Sequence, residues 1–205
     1  MRAILPTAYL APVSYYYYLI NFDSTIEQHA HYRKQTIANH CRIATAHGID
    51  TLTIPVEHTN HTPVGDVRIS NHHDWQTLHW RALEAAYNAS PFFEYYKDDL
   101  KPFFEQPADN LLRWNTHLQN KILELLGFDI NYSFTDDYKK EYENGTFDLR
   151  ETFNAKKNIV TLHPDCVLTP YYQVFEQKLG FQPDLSIIDL LFNMGNEARL
   201  ILKKA

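Results

Sequence analysis

Residues 3–21 read AILPTAYLAPVSYYYYLIN, and the change of character within them sets the fold class. Ala3 to Leu5 is a short apolar run, Pro6 to Pro12 is bounded by the prolines of a loop, and Ser14 is placed to cap a helix through Tyr15, Tyr16, Tyr17 and Tyr18 to Asn21. A strand, a loop and a helix therefore open the chain. Four consecutive tyrosines cannot face one way on a helix, so at least half of the run is expected to be packing or surface. Tyr9, in the loop before it, is the tyrosine placed to meet a ligand.

Outward from this opening the alternation continues. Thr25 to His31 and Cys41 to Thr45 read as extended, Gly48 to Asp50 as a turn, Thr51 to Ile54 as a β-branched run closed by Pro55, Glu57 to Gly65 as a surface loop, and Val67 to Ile69 as a further short strand. From Asp74 the period becomes helical. Asp74 is the expected N-cap of a helix carrying Trp75, Leu78, Ala82, Ala85 and Ala86 and ending near Asn88. Ser90-Pro91 predicts a second helix running toward Lys101, which Pro102 ends or kinks. Asp109 is the expected cap of a third, with Leu111, Leu118, Ile122 and Leu125 on one face and Gly127 as its stop.

Ile130 to Phe134 and Val160 to Leu162 read as strands, and the polar stretch Asp136 to Lys157 between them as a mobile loop. Pro170 to Lys178 is expected to be helical. Ser186 with Asp189 starts a helix over Ile187 to Asn193 that Gly195 closes, and Glu197 to Lys203 forms a last amphipathic helix. The expectation is α/β: a single mixed domain spanning residues 1–205, with a central sheet, flanking helices and a helix-rich C-terminal half.

The composition agrees with one globular unit. At 205 residues, 44% hydrophobic and 21% charged, the chain can bury about 70% of its unfolded surface without disulfide or metal staples. A net charge of −6 repels a phosphate polymer, so general nucleic-acid binding is disfavoured. Cys41 and Cys166 lie far apart and read as reduced thiols. The N-terminus resembles neither a signal peptide nor a membrane span, and a cytoplasmic protein is expected. The six glycines come no closer together than 15 residues, which removes the phosphate loops of Walker and Rossmann type, and no Gly-x-Ser-x-Gly elbow is present.

Chemistry concentrates in residues 29–42, where Arg33, Lys34 and Arg42 stand beside Gln35, Asn39, His29, His31 and His40. Arginine and lysine among amide side chains can hold a diphosphate or a carboxylate, although a solvated basic face would look the same. His29 and His31 face one side of a strand, where either His40 adds a third nitrogen for zinc or the two are polar residues lining a cleft. Without any Cys-x-x-Cys or His-Glu-x-x-His spacing, however, neither a metal nor another cofactor is expected. Cys41 reads as a small core residue. Trp75 and His79, four apart on a helix, share a face that either stacks a sugar beside an imidazole base or simply packs into the core.

The segments Tyr32-x-Lys34, Asn39-x-x-Arg42-Ile43, Leu52-Thr53-Ile54-Pro55-Val56, Trp75-x-x-x-His79 and Tyr87-x-x-Ser90-Pro91-Phe92-Phe93 resemble, in order and spacing, the signature of the WbqC-like family. Leu185 to Leu191 extends the resemblance over nearly the whole chain. His40 stands where many members have Arg, and Ser14 falls near a position where many carry Gly. The resemblance implies a setting in bacterial O-antigen and other surface-polysaccharide biosynthesis, where transfer of small groups, including glycine to an amino sugar, has been proposed.

The expected function is accordingly a transferase that moves an acyl or aminoacyl group onto a nucleotide-linked amino sugar. In it Lys34 and Arg42 would hold phosphates, Gln35 and Asn39 would orient the sugar or acyl carbonyl, Trp75 would stack, Tyr9 would line the site, and His79 would deprotonate the amine. The expected partners are those small molecules and other enzymes of the polysaccharide pathway. Two alternatives stay open: a non-catalytic nucleotide-sugar or glycan binding protein that assists a partner enzyme, and a nucleotidyl-handling protein that lacks the usual His-x-x-His or Gly-rich loop.

Overall fold

The computed structural model describes residues 1–57, 61–153, 166 and 169–203. Arg2–Pro6 forms β1, Val13–Asn21 α1 and Asp23–Glu27 β2, with β1 and β2 parallel and paired from Arg2 with Asp23 to Pro6 with Glu27. A parallel neighbour requires a crossover, and α1 supplies it. Ser133–Phe134 (β7) pairs with β2 and Thr146–Asp148 (β8) with β1, both parallel, so the central sheet runs β7-β2-β1-β8. Ala3, Ile4 and Leu5 are all fully buried. That is the continuous apolar strand expected where both faces of a parallel sheet are covered.

The remaining strands pair outside this sheet. His40–Thr45 (β3) and Gly48–Thr53 (β4) form an antiparallel hairpin, and Val56–Glu57 (β5) pairs with Arg68–Ile69 (β6). Gly48, expected in a turn, begins β4 with φ 128, and the turn falls one step earlier at Ala46 and His47.

The helices follow their sequence signals with informative departures. Trp75–Tyr87 (α2) starts at Asp74, whose carboxylate accepts from Thr77 N at 3.2 Å. Leu111–Leu125 (α4) is capped by Asn110 rather than Asp109, Asn110 Oδ1 accepting from Arg113 N at 2.9 Å, and it stops at Gly127 with φ 70. Phe93–Glu105 (α3) runs through Pro102. One helical hydrogen bond is lost there, but Phe104 is anchored against Trp80 and Trp114, and the Phe103 carbonyl accepts from Gln76 Nε2 and Trp114 Nε1. Tertiary packing of the last turn outweighs the missing donor.

Ser14 does not cap α1. Pro12 occupies the capping position, while Ser14 N and Oγ both donate to the Asp184 carboxylate, at 2.7 and 2.6 Å. A carboxylate 170 residues away thus satisfies the helix start, where the free amides favour negative charge. All four tyrosines of the run are buried, at 0, 1, 6 and 0% exposure. Of the two roles expected for the run, packing or surface, all four take packing, because α1 lies between the sheet and two C-terminal helices, Ile187–Met194 (α6) and Ala198–Leu202 (α7). A helix covered on all sides has no solvent face.

Two other expectations shift. Within Asp136 to Lys157, read as a mobile loop, residues 146–148 are the edge strand β8, held by Phe147 against Phe22 with centroids 5.0 Å apart. From Pro170 to Lys178, only Glu176–Leu179 (α5) is helical. The strand expected at Val160 to Leu162 lies outside the described residues. The molecule is a mixed α/β domain with a central parallel sheet, flanking helices and helices in its C-terminal half.

Candidate functional site

At β1 the strand order reverses: the crossover through α1 leads to β2 on one side, and β8 returns on the other. In open parallel sheets a crevice forms outside the carboxyl ends of the strands at such a point. A cleft of about 750 Å³ lies there, lined by Pro6 and Thr7 at the end of β1, Glu27 at the end of β2 and Asp148 at the end of β8. The segments that follow β2, β7 and β8 complete it with His29, His31, Tyr32, Lys34, Tyr138, Lys140, Arg150 and Phe153.

The floor is a hydrogen-bonded charge cluster. Glu27, its side chain only 2% exposed, accepts through Oε1 from His29 N at 2.7 Å, Ala30 N at 3.1 Å and Thr135 Oγ1 at 3.0 Å. Its Oε2 faces Arg150 Nη1 at 3.4 Å. Arg150 holds Asp148 in a bidentate fork, Nε to Oδ1 at 2.8 Å and Nη2 to Oδ2 at 2.6 Å, and donates to the carbonyls of Lys139 and Lys140. Its guanidinium also lies over the rings of Tyr142 and Tyr138, at 4.9 and 5.4 Å. The Asp148 carboxylate holds the guanidinium more firmly charged than usual. Arg150 is therefore saturated and serves to pin the segment before β8 onto the end of β2.

The rim carries the available charge. Arg33 is paired with Glu151, whereas Lys34 and Lys140 have no ion-pair partner among the described residues. Four side-chain cations against three carboxylates make this cleft positive within a chain of net charge −6. Tyr32, Tyr138 and Phe153 set aromatic surface beside the lysines. His29 Nε2 lies 3.0 Å from the Thr135 carbonyl, which can only accept. Nε2 must then hold the proton, leaving the Nδ1 lone pair free.

Of the residues given a substrate or catalytic role in the sequence, Lys34 lines this cleft, and His29, His31, Tyr32 and Arg33 of the same stretch line it with Lys34. Gln35 is its exposed neighbour, in the left-handed region at φ 61. Asn39 is buried and committed: Nδ2 donates to the Ile54 carbonyl at 2.8 Å, and Oδ1 meets His40 Nδ1 at 2.7 Å. Arg42 sits half-buried on β3, where its charge acts on Asp184 instead. His40 is likewise on β3, so His29, His31 and His40 do not assemble, and the described residues contain no cluster of three metal-ligating side chains. Cys41 is buried, as a core residue should be.

Tyr9, Trp75 and His79 do come together, but in the interior, at 0, 4 and 6% exposure. The Tyr9 and His79 rings stack at 5.6 Å, Trp75 meets His79 edge-on at 5.1 Å, and Trp114 packs against both Tyr9 and Trp75 at 5.4 Å. Tyr9 Oη lies 2.8 Å from His79 Nδ1, and the Thr53 carbonyl holds the other ring nitrogen. The carbonyl cannot donate, so the neutral ring carries its proton toward Thr53 and accepts from Tyr9. Burial lowers the His79 pKa to about 4. The face shared by Trp75 and His79 continues through Leu83, Ala86 and Tyr87, all buried, while Leu78 is 61% exposed. These lie at positions i, i+4, i+8, i+11 and i+12, the spacing of one inward helix face. Neither Glu27 nor Arg150 lies in a sequence motif, and the one sequence signal for them is a carboxylate that ends the run Ser24-Thr25-Ile26-Glu27.

The sequence profile of the WbqC-like protein family matches residues 8–163, which include β2, both hairpin strands and the cleft cluster. The chain belongs to that family. This WbqC-like protein is also similar to the uncharacterized protein Rv1507c of Mycobacterium tuberculosis, 30% identical over 223 aligned positions that cover 96% of this chain and 94% of the relative. No solved structure gives a significant match. The profile ends at residue 163, before the Leu185 to Leu191 segment, whereas the alignment with the mycobacterial relative spans nearly the whole chain. No helix among the described residues is long and apolar enough to cross a membrane.

Proposed function

We propose that this WbqC-like protein, acting as one unit over residues 1–205, binds a nucleotide-linked amino sugar in the cleft at the carboxyl ends of β1, β2 and β8. It transfers a small acyl or aminoacyl group, glycine being one case, to the sugar's amine within surface-polysaccharide biosynthesis. The observation that supports this reading best is the pair of rim lysines, Lys34 and Lys140, without an ion-pair partner among the described residues and beside aromatic side chains in an otherwise acidic chain. Lysine holds phosphate as a point charge, and an aromatic face stacks a base or sugar.

In this reading His29 takes the role expected of His79, because its Nδ1 lone pair belongs to a cleft residue whose tautomer is set by Thr135. The amine nitrogen attacks the acyl carbonyl carbon, a C–N bond forms, the bond to the leaving group breaks, and the amine proton passes through His29 Nδ1 to the leaving group. Arg42 and Asn39 act on the fold instead of on phosphate, and Trp75 and Tyr9 pack against His79 and Trp114 in the interior.

The test is a thermal-shift screen with nucleotide amino sugars. A ligand at 100 times its Kd adds about 2.7 kcal/mol of stability. Lys34→Ala and Lys140→Ala should remove that gain without lowering the melting temperature of the free protein, while His29→Ala should keep binding and lose transfer. Unchanged binding in both lysine variants refutes the cleft assignment. Binding without turnover for any acyl donor would instead establish the non-catalytic reading.

A further inference from the structure

Residues 30–32 and 62–64 run antiparallel as a short ribbon at the edge of the cleft. Tyr32 N donates to the Thr62 carbonyl at 2.9 Å, Val64 N to the Ala30 carbonyl at 2.8 Å, and His31 bridges Pro63. The ribbon brings His31 and His61 together edge-on, with ring centroids 5.0 Å apart and planes at 72°. Their Nδ1 atoms are 3.4 Å from each other. Both side chains are exposed, and His61 holds the left-handed conformation at φ 72.

That separation is long for an N–H···N hydrogen bond. It is the bite of a metal ion: two imidazole nitrogens at about 2.0–2.1 Å from a tetrahedral centre lie about 3.4 Å apart. The pairing of residues 30–32 with 62–64 sets the two residues side by side. His31 also lines the cleft, so an ion held there would sit at its mouth.

We propose that His31 and His61 form a two-histidine site for a divalent d-block cation of the zinc class at the rim of the cleft. Imidazole nitrogens favour zinc, copper and nickel over magnesium and calcium. Among the described residues no third His, Cys, Asp or Glu completes a cluster with them, so the other coordination positions go to water or to an anionic group of a molecule in the cleft. With two protein ligands the ion is exchangeable. The site stands on the histidine pair alone and does not depend on the transferase reading.

The experiment is calorimetric titration of Zn²⁺ into the untagged full chain at pH 7.5, with Mg²⁺ as comparison. The expected result is one equivalent of Zn²⁺ bound, no Mg²⁺ heat, and a loss of about tenfold or more in affinity for each of His31→Ala and His61→Ala. The double variant should be hardly weaker than either single one, because one imidazole alone no longer chelates. His47→Ala, an exposed histidine in the turn of the β3–β4 hairpin, should bind as the parent does. Electron paramagnetic resonance of the Cu²⁺ complex should show two coupled nitrogens in the parent and fewer in each variant. Zn²⁺ affinity unchanged in both single variants, or no stoichiometric binding at millimolar metal, overturns the proposal. Melting temperatures of the variants establish that the fold is intact.

Discussion

Replacing His79 with Gln should make the stability advantage of the parent over the variant shrink as the pH falls, close at about pH 5 and reverse below it. In the parent the His79 pKa is pushed down to about 4 by burial, against an unperturbed 6.5. The unfolded chain therefore binds a proton that the folded chain refuses between these values. By linkage, the stability tied to the neutral ring is present above pH 6.5 and is lost as the pH falls toward 4. At 1.36 kcal/mol for each pH unit, the loss is about 2 kcal/mol by pH 5 and about 3 kcal/mol by pH 4. Gln can accept from Tyr9 and donate to the Thr53 carbonyl but loses ring packing against Tyr9 and Trp75, a cost of about 2 kcal/mol at pH 7. Asp184 and Asp189 act in the opposite sense. Burial raises each to about 6, so their stability is present below pH 3.8 and is lost as the pH rises through 6. Parent and variant share these carboxylates, so the difference between the two proteins isolates His79. Urea denaturation followed by tryptophan fluorescence at pH 7, 6, 5 and 4.5 reads it. A gap that stays constant over this range refutes the assignment of a buried, neutral His79.

Further outcomes follow from particular contacts. Asp189 accepts from Tyr171 Oη at 2.8 Å, Gln173 Nε2 at 2.9 Å and Tyr87 Oη at 3.1 Å, so Asp189→Asn faces a donor toward donors and should cost about 1–3 kcal/mol in denaturant at pH 7. Arg150→Ala strands the buried Glu27 carboxylate and should cost about 3 kcal/mol, with part recovered on adding Glu27→Gln. Equal stability of the single and double variants would remove that reasoning. At Gly195, φ 53 and ψ −130 suit glycine alone, and a Cβ would come within 2.7 Å of the Phe92 ring. Gly195→Ala should therefore lower stability by about 1–3 kcal/mol in thermal unfolding.

How far the chain could be read without coordinates varies with how local each signal is. A cap needs only a side chain and an amide two or three residues on, so Asp74, Ser186 and the stop at Gly127 were readable from spacing. The apolar run of β1, the loop and the aromatic helix after it were readable for the same reason. So was family membership, since ordered motifs are a property of sequence.

What depended on distant partners was not. Residues 146–148 become a strand because β1 offers a parallel edge and Phe147 finds Phe22, neither of which is visible in a polar stretch. Asp184 replaces Ser14 as the cap of α1 across 170 residues. The site moved for the same reason. Helical spacing correctly put Trp75 and His79 on one face, but only packing decides whether such a face meets solvent or Tyr9 and Trp114. The cleft itself arises where the ends of β1, β2 and β8 converge, bringing Glu27 to Arg150 from 123 positions away. Sequence determines which short-range geometries are cheap. Convergence of strand ends is set by the global free energy of burying apolar surface, which no local window contains.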